Sequence, residues 1–431
     1  MKPSMQAWYV VAVLMLANTV SFIDRLILSL LVTPIKAELQ LTDTQVSLLQ
    51  GLAFALFYCL AGLALARLAD RTSRKWIVTA GISLWCVMTS LSGTARQFWQ
   101  LFLYRFGVGI GEGTLSPSAY SLIAAYFPRE RLSLAIGVYS LGITAGIGLA
   151  YLGGGVAIQW VATQGVIDLP GLPPLEGWRL VFALVGAMGM PVAILMLLVR
   201  EPPRATGANR ASVREVVAHY RRDARRYSCV MFGYGATSIT IYAVMTWTPT
   251  FYLRHYGASI SDAATTLGLI ALAGGLSGAW LGGWLADRLE QRGDSRAKLR
   301  VLYWSALGLF LPAIVAPLMP TLAGSASVLT LTFFFGAACT GPAGAFVQSI
   351  TPESMRAQFG AIYLLALTLV GATLGPLLTA LFTDYVFRDE SLLGYSLSAV
   401  ALAGNLLALW LLRRAFLGGA TAVQTRHPTA A

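Results

Sequence analysis

Four residues with chemistry to offer interrupt long apolar stretches: Asp24, Arg25, Arg105 and Glu112. Two acids and two bases sum to zero charge. Each costs roughly 2.5–3.5 kcal/mol near the middle of a membrane helix, so all four are expected to face a protein interior rather than lipid. Desolvation favours the protonated form of a carboxyl, while a neighbouring guanidinium favours the ionised form, so exchange of partners can move a proton. Asp24 and Glu112 are therefore the candidate proton-coupling groups. Arg25 and Arg105 are the candidate ion-pairing or substrate-binding groups, because a guanidinium binds carboxylate or phosphate by charge-assisted hydrogen bonds. A static ion network tying the two stretches together is the alternative.

These residues need elements that hold them in a membrane. In a chain of 431 residues, 56% are hydrophobic and 12% charged, about half the charge of an ordinary globular chain. Twelve helices of about 20 residues need about 240 apolar positions, and the composition supplies that number. The apolar stretches lie near 8–31, 45–66, 76–95, 98–127, 133–158 and 179–199, and again near 228–253, 263–286, 300–319, 326–350, 357–383 and 394–414. They are numbered here as spans 1 to 12. The expected fold is an all-α integral membrane protein with twelve transmembrane helices in two pseudo-symmetric six-helix bundles. The expected divisions are 1–199, a linker at 200–227, a second bundle at 228–414 and a tail at 415–431. Span 1 is too long for a cleaved signal peptide and is expected to be retained. Within the linker, Val213 to Arg226 reads as a surface helix with Val213, Val216, Val217 and Tyr220 on one side. Cys59, Cys86, Cys229 and Cys339 are too scattered for a zinc site or a disulfide framework and read as small core residues.

The net charge of +12 raises nucleic acid as a partner. Placing both termini and the linker in the cytoplasm puts 24 of the 31 basic residues on that side, five outside and two within spans, whereas the acids divide nine inside to eight outside. This is the positive-inside pattern of a membrane protein, not a nucleic-acid footprint. The segment Leu68-Ala69-Asp70-Arg71 recurs as Leu285-Ala286-Asp287-Arg288 after the second span of each half, which supports a duplicated bundle. By helical rise, Asp24 and Arg105 lie at matching depths, about 10 Å from one end of spans 1 and 4, and Glu112 lies two turns further from that end.

The stretch Ala66 to Lys75, A-R-L-A-D-R-T-S-R-K, resembles the loop 2/3 signature of the major facilitator superfamily. The Asp-Arg pair is intact, with Ala66 and Ser73 in place of two customary glycines. The resemblance implies two lobes rocking around a central cavity, with Asp70, Arg71, Arg74, Arg131, Asp287 and Arg288 forming a cytoplasmic latch. The run from Arg105 to Gly113 together with Asp24-Arg25 is similar to the spinster-like group of lysolipid and sphingolipid transporters. Gly113-Thr114-Leu115-Ser116-Pro117 departs from that group and is similar to organic-anion symporters of the same superfamily. If spans 1, 4, 7 and 10 line the cavity, as the resemblance implies, Tyr242 and Gln348 are candidate substrate contacts. Trp247, Tyr252 and Tyr256 read as interface anchors.

No Gly-Lys dipeptide occurs, which excludes a Walker A loop, and the three histidines form no metalloprotease pattern. The expected function is proton-coupled secondary transport of a small amphiphilic or anionic organic solute by alternating access. An organic-anion or sugar-acid symporter, a uniporter without proton coupling and a channel are the alternatives. No enzyme activity, cofactor, metal or nucleic-acid partner is expected. The expected setting is a monomer in the bacterial inner membrane, in contact with lipids and protons.

Overall fold

The computed structural model describes residues 5–61, 72–127, 129–164, 166, 177–202, 213–352 and 355–418. Asp70 and Arg71 lie outside the described residues. Among the described residues the secondary structure is helical throughout, with no strand. Among the described residues, ten helices are long and apolar enough to cross a membrane: Met5–Leu30, Asp43–Ala61, Leu134–Ala162, Trp178–Leu197, Ala224–Tyr256, Ile260–Gln291, Ala297–Leu318, Leu322–Ser349, Gln358–Phe387 and Glu390–Leu417. Expected span 3 is the helix Arg74–Ser92, which opens on two basic residues. Expected span 4 is not one continuous helix. It runs as Phe98–Gly113 and Leu115–Tyr126, because Pro117 has no N–H to offer the Gly113 carbonyl. Both the backbone N–H and the hydroxyl of Thr114 turn back to the Gly111 carbonyl, at 3.2 and 2.8 Å. The break falls two residues after Glu112.

The chain packs as two compact units. The first comprises residues 1–206, 243–272 and 372–396, and the second 207–242, 273–371 and 397–431. In the first unit, span 1 packs along span 5 and span 3 along span 6. Small residues set these approaches. A Cβ added to Gly111 would lie 2.7 Å from the Gly81 carbonyl, and one added to Gly109 would lie 2.6 Å from the Phe54 carbonyl. The glycines around Glu112 thus bring spans 2 and 3 against span 4. The same unit holds the latter part of span 7, where Tyr151 of span 5 donates to the Met245 carbonyl at 2.7 Å.

Trp247 and Tyr252 are fully buried, not anchors at a lipid interface. The Trp247 indole N–H donates to the Pro376 carbonyl at 3.0 Å, which satisfies the one polar atom that would otherwise draw the ring to the headgroup region. The linker helix spans Val213–Arg222, and span 7 begins at Ala224, four residues earlier than expected. Val216 is buried and Tyr220 is packed near Phe359, but Val217 is exposed. Val216 and Tyr220 thus pack on protein, while Val217 does not. All four cysteines are buried.

In the second unit, span 10 packs along spans 8 and 9. Any Cβ on Gly278 would overlap the Phe334 carbonyl, whereas Gly283, one turn further on, faces open space. Gly278→Val is expected to destabilise the detergent-solubilised protein by about 1–3 kcal/mol, the usual overpacking cost, and Gly283→Ala by less than about 0.5 kcal/mol. Parallel thermal melts of the two variants check this; equal losses would contradict the close contact.

Candidate functional site

Spans 1 and 4 cross so that residue 24 meets residue 105 and residue 21 meets residue 112, which makes them antiparallel. Arg105 Nη1 lies 2.7 Å from Asp24 Oδ1. Thr89 of span 3 donates its hydroxyl to the other oxygen, Oδ2. Asp24, Arg105 and Glu112 are each 1% exposed, so this first pair is sealed.

Glu112 holds the second pair. Its Oε2 accepts from Arg25 Nε at 2.6 Å and from the Ser21 hydroxyl at 2.5 Å. Its other oxygen, Oε1, is buried with no hydrogen-bond partner among the described residues. Backbone depth alone places Glu112 about 10 Å from Arg105. Helical side chains lean toward their own N-terminus, so in antiparallel helices Arg25 and Glu112 lean toward each other and meet. The Arg25 guanidinium is also ringed by Phe22, Phe54 and Tyr58, with centroids 4.8, 4.5 and 4.8 Å away. Its side chain is 17% exposed against 1% for Arg105. Arg25 is thus the accessible cation of the four, and the aromatic wall beside it is one that an amphiphile can use.

Ser21, Thr89, Phe54 and Tyr58 complete the site and were not singled out in the sequence. No spacing signal marks a serine one turn before an aspartate. The two second-half candidates belong to the second unit. Tyr242 packs there near Gly371. Gln348 lies near the end of span 10 and donates to the Arg356 carbonyl at 3.3 Å, tying down the following turn.

Of the four described latch residues, Arg74 has a network. Its Nε lies 2.8 Å from Glu201 Oε1, and its Nη1 donates to the Ser121 carbonyl at 3.1 Å. Ser73 and the Arg74 backbone N–H also donate to Glu201, which therefore caps the start of span 3. Glu201 falls within the expected linker, 200–227. Arg131, Asp287 and Arg288 are exposed, and Arg288 lies over the Trp284 ring at 5.2 Å.

A second charge cluster joins residues far apart in the chain. Asp43 is the first helical residue of span 2, set there by the reciprocal capping of Thr42 and Gln45. Its carboxylate takes Lys36 at 2.6 Å and both Arg254 nitrogens at 2.6 and 2.9 Å. Glu390 closes the cluster, pairing with Lys36 and with Arg254 Nη2, the latter at 2.9 Å. Thr44 alongside donates from both its backbone N–H and its hydroxyl to Asp384 Oδ2 at 2.7 Å. All of these residues belong to the first unit, so the ends of spans 2, 7, 11 and 12 are bound together there.

The Major Facilitator Superfamily profile matches residues 14–376. The chain belongs to that superfamily. It is 30% identical over 406 residues to an MFS-type efflux pump of Mycolicibacterium smegmatis, with 94% of this chain and 89% of that protein covered. It is 25% identical over 298 residues to the Drosophila melanogaster protein spinster, covering 66% of this chain but only 46% of spinster. The chain thus spans about half the length of that relative. The crystal structure of a bacterial homologue of the human lysosomal transporter spinster, inward-facing and occupied, matches with a TM-score of 0.82 at 27% identity over 99% of this chain and all of the other. The chain is a multi-pass membrane transporter and not an enzyme.

Glu201 makes the Arg74 network sensitive to acid. Burial alone would raise its pKa, but the hydrogen bonds from Arg74 and Ser73 prevail and hold it at about 2 against an ordinary 4.5. A carboxylate depressed on folding stabilises the native state above its unfolded value and loses that contribution as pH falls through its folded value. Glu201→Gln is therefore expected to melt below the wild type above pH 4.5, with the gap closing as pH falls toward about 2. A gap independent of pH in thermal melts would contradict the assignment.

Proposed function

We propose that this transporter moves an anionic amphiphile, of the lysophospholipid type, in exchange or in company with protons. The observation that carries the proposal is Glu112: a buried carboxylate with one oxygen held by Arg25 and Ser21 and the other without a partner. A proton delivered to Oε1 neutralises Glu112 and releases Arg25 to an incoming phosphate or carboxylate. The aromatic rings around Arg25 give the apolar part of such a solute a surface. Asp24 is the second proton site, held in reserve by Arg105 and Thr89. Similarity to the spinster structure agrees with the lysolipid class that the sequence resemblance implies.

The charge distribution supports both termini on the cytoplasmic side, in a bacterial inner membrane. The two halves, 1–199 and 228–414, are then the rocking lobes, with the duplicated Asp-Arg loops and Arg74 as the cytoplasmic latch. In that orientation the cluster of Lys36, Asp43, Arg254 and Glu390 closes the outer side. Breaking a buried ion pair by removing one partner costs about 3–5 kcal/mol, enough to shift a two-state equilibrium of this kind.

Two outcomes test this reading. In proteoliposomes, Glu112→Gln is expected to insert and to bind lysophospholipid, while uptake driven by an imposed pH gradient falls to the rate measured without one. Gradient-driven flux equal to the wild type would remove Glu112 from coupling, and wild-type flux indifferent to the gradient would identify a uniporter. Separately, a cysteine placed at Ser29, buried in span 1, is expected to react slowly with a membrane-impermeant maleimide added outside. Adding Asp43→Asn should raise that rate at least tenfold, since even about 1.4 kcal/mol of the lost pairing is a factor of ten; an unchanged rate would contradict the closure.

A further inference from the structure

The second unit contains a cleft of about 350 Å³ between the start of span 9 and the end of span 12, lined by Arg300, Tyr303, Trp304, Arg413, Phe416 and Leu417. It is far in sequence from the carboxylate–guanidinium cluster and belongs to the other unit. Its lining sets two arginines among four aromatic or apolar residues. Arg300 lies over the Trp304 ring at 5.9 Å and is steadied by Asp294, with Nε 3.1 Å from Oδ2. Arg413 is exposed and has no ion pair among the described residues. Phe416 is backed by Arg296, whose guanidinium sits 5.8 Å from its ring.

We infer that this cleft binds the headgroup of an anionic phospholipid of the surrounding bilayer, with Arg300 and Arg413 on the phosphate and an acyl chain along span 9. Two observations separate a lipid from a free anion. Trp304, Phe416 and Leu417 offer nothing to an inorganic phosphate but suit the glycerol and first methylenes of a lipid. Exposed Leu307 and Leu311 continue from Trp304 along one face of span 9, one and two helical turns on, an apolar track about 10 Å long. Basic clefts between helix ends recognise anionic headgroups by this combination of charge and depth.

The test is native mass spectrometry of the full chain in detergent, titrated with phosphatidylglycerol or phosphatidylcholine. One phosphatidylglycerol is expected to be retained with about tenfold preference. The double variant Arg300→Gln/Arg413→Gln should lose that preference, and Arg414→Gln, whose guanidinium stacks on Trp410 away from the cleft, should keep it. Millimolar inorganic phosphate should not displace the lipid. Equal binding of the two lipids, an unaltered double variant, equal loss in Arg414→Gln, or displacement by phosphate would each overturn the assignment. If the double variant does not fold, quenching in vesicles decides. Brominated phosphatidylglycerol should quench the wild type more than brominated phosphatidylcholine does, with the excess absent in Trp304→Phe; an excess that survives in Trp304→Phe, or none in the wild type, overturns it.

Discussion

An ionised side chain surrounded by hydrocarbon has no water to neutralise it, so it persists only where an opposite charge and hydrogen-bond partners are already in place. Asp24, Arg25, Arg105 and Glu112 meet that condition as two pairs, 24 with 105 and 25 with 112. The pairs differ in a way that matters for function. The Asp24 pair has both carboxylate oxygens occupied and is sealed from solvent, whereas the Glu112 pair leaves one oxygen bare and its arginine partly accessible. Removal of any one of the four would leave a buried charge uncompensated. A proton is the smallest agent that can change who neutralises whom.

Much of the remaining packing serves to hold spans 1 to 4 close enough for those pairs. Gly109 and Gly111 let spans 2 and 3 approach the backbone that carries Glu112, and Pro117 interrupts span 4 just beyond it. Phe54 and Tyr58 come from span 2, the same helix whose first residue, Asp43, anchors the second charge cluster. Span 2 therefore links the ring wall around Arg25 to the group that the proposed cycle uses to close the outer side. One helix carries both the rings beside Arg25 and the carboxylate of the second cluster.

The membrane class and most span positions were legible from composition, because apolar runs of this length have no other stable environment. The Asp24–Arg105 pair was legible from helical rise alone, since both lie at one depth. The Arg25–Glu112 contact was not, because a depth count follows backbones and ignores the opposite lean of side chains on antiparallel helices. Lys36, Asp43, Arg254 and Glu390 fall between the expected spans and are hundreds of residues apart at the extremes, and only the fold brings them together. Trp247 misled in the other direction. Position near a span end is a good sign of an interface anchor, but a carbonyl partner at Pro376 allows the ring to be buried instead.

The claim on which the transport proposal turns is that a proton binds Glu112 and loosens Arg25. Infrared difference spectroscopy of the protein in a bilayer, recorded between high and low pH, reads protonated carboxyl groups directly. A protonated-carboxyl band that grows as pH falls in the wild type and is missing from Glu112→Gln would bear the account out. No such band in the wild type, or an identical one in the variant, would contradict it.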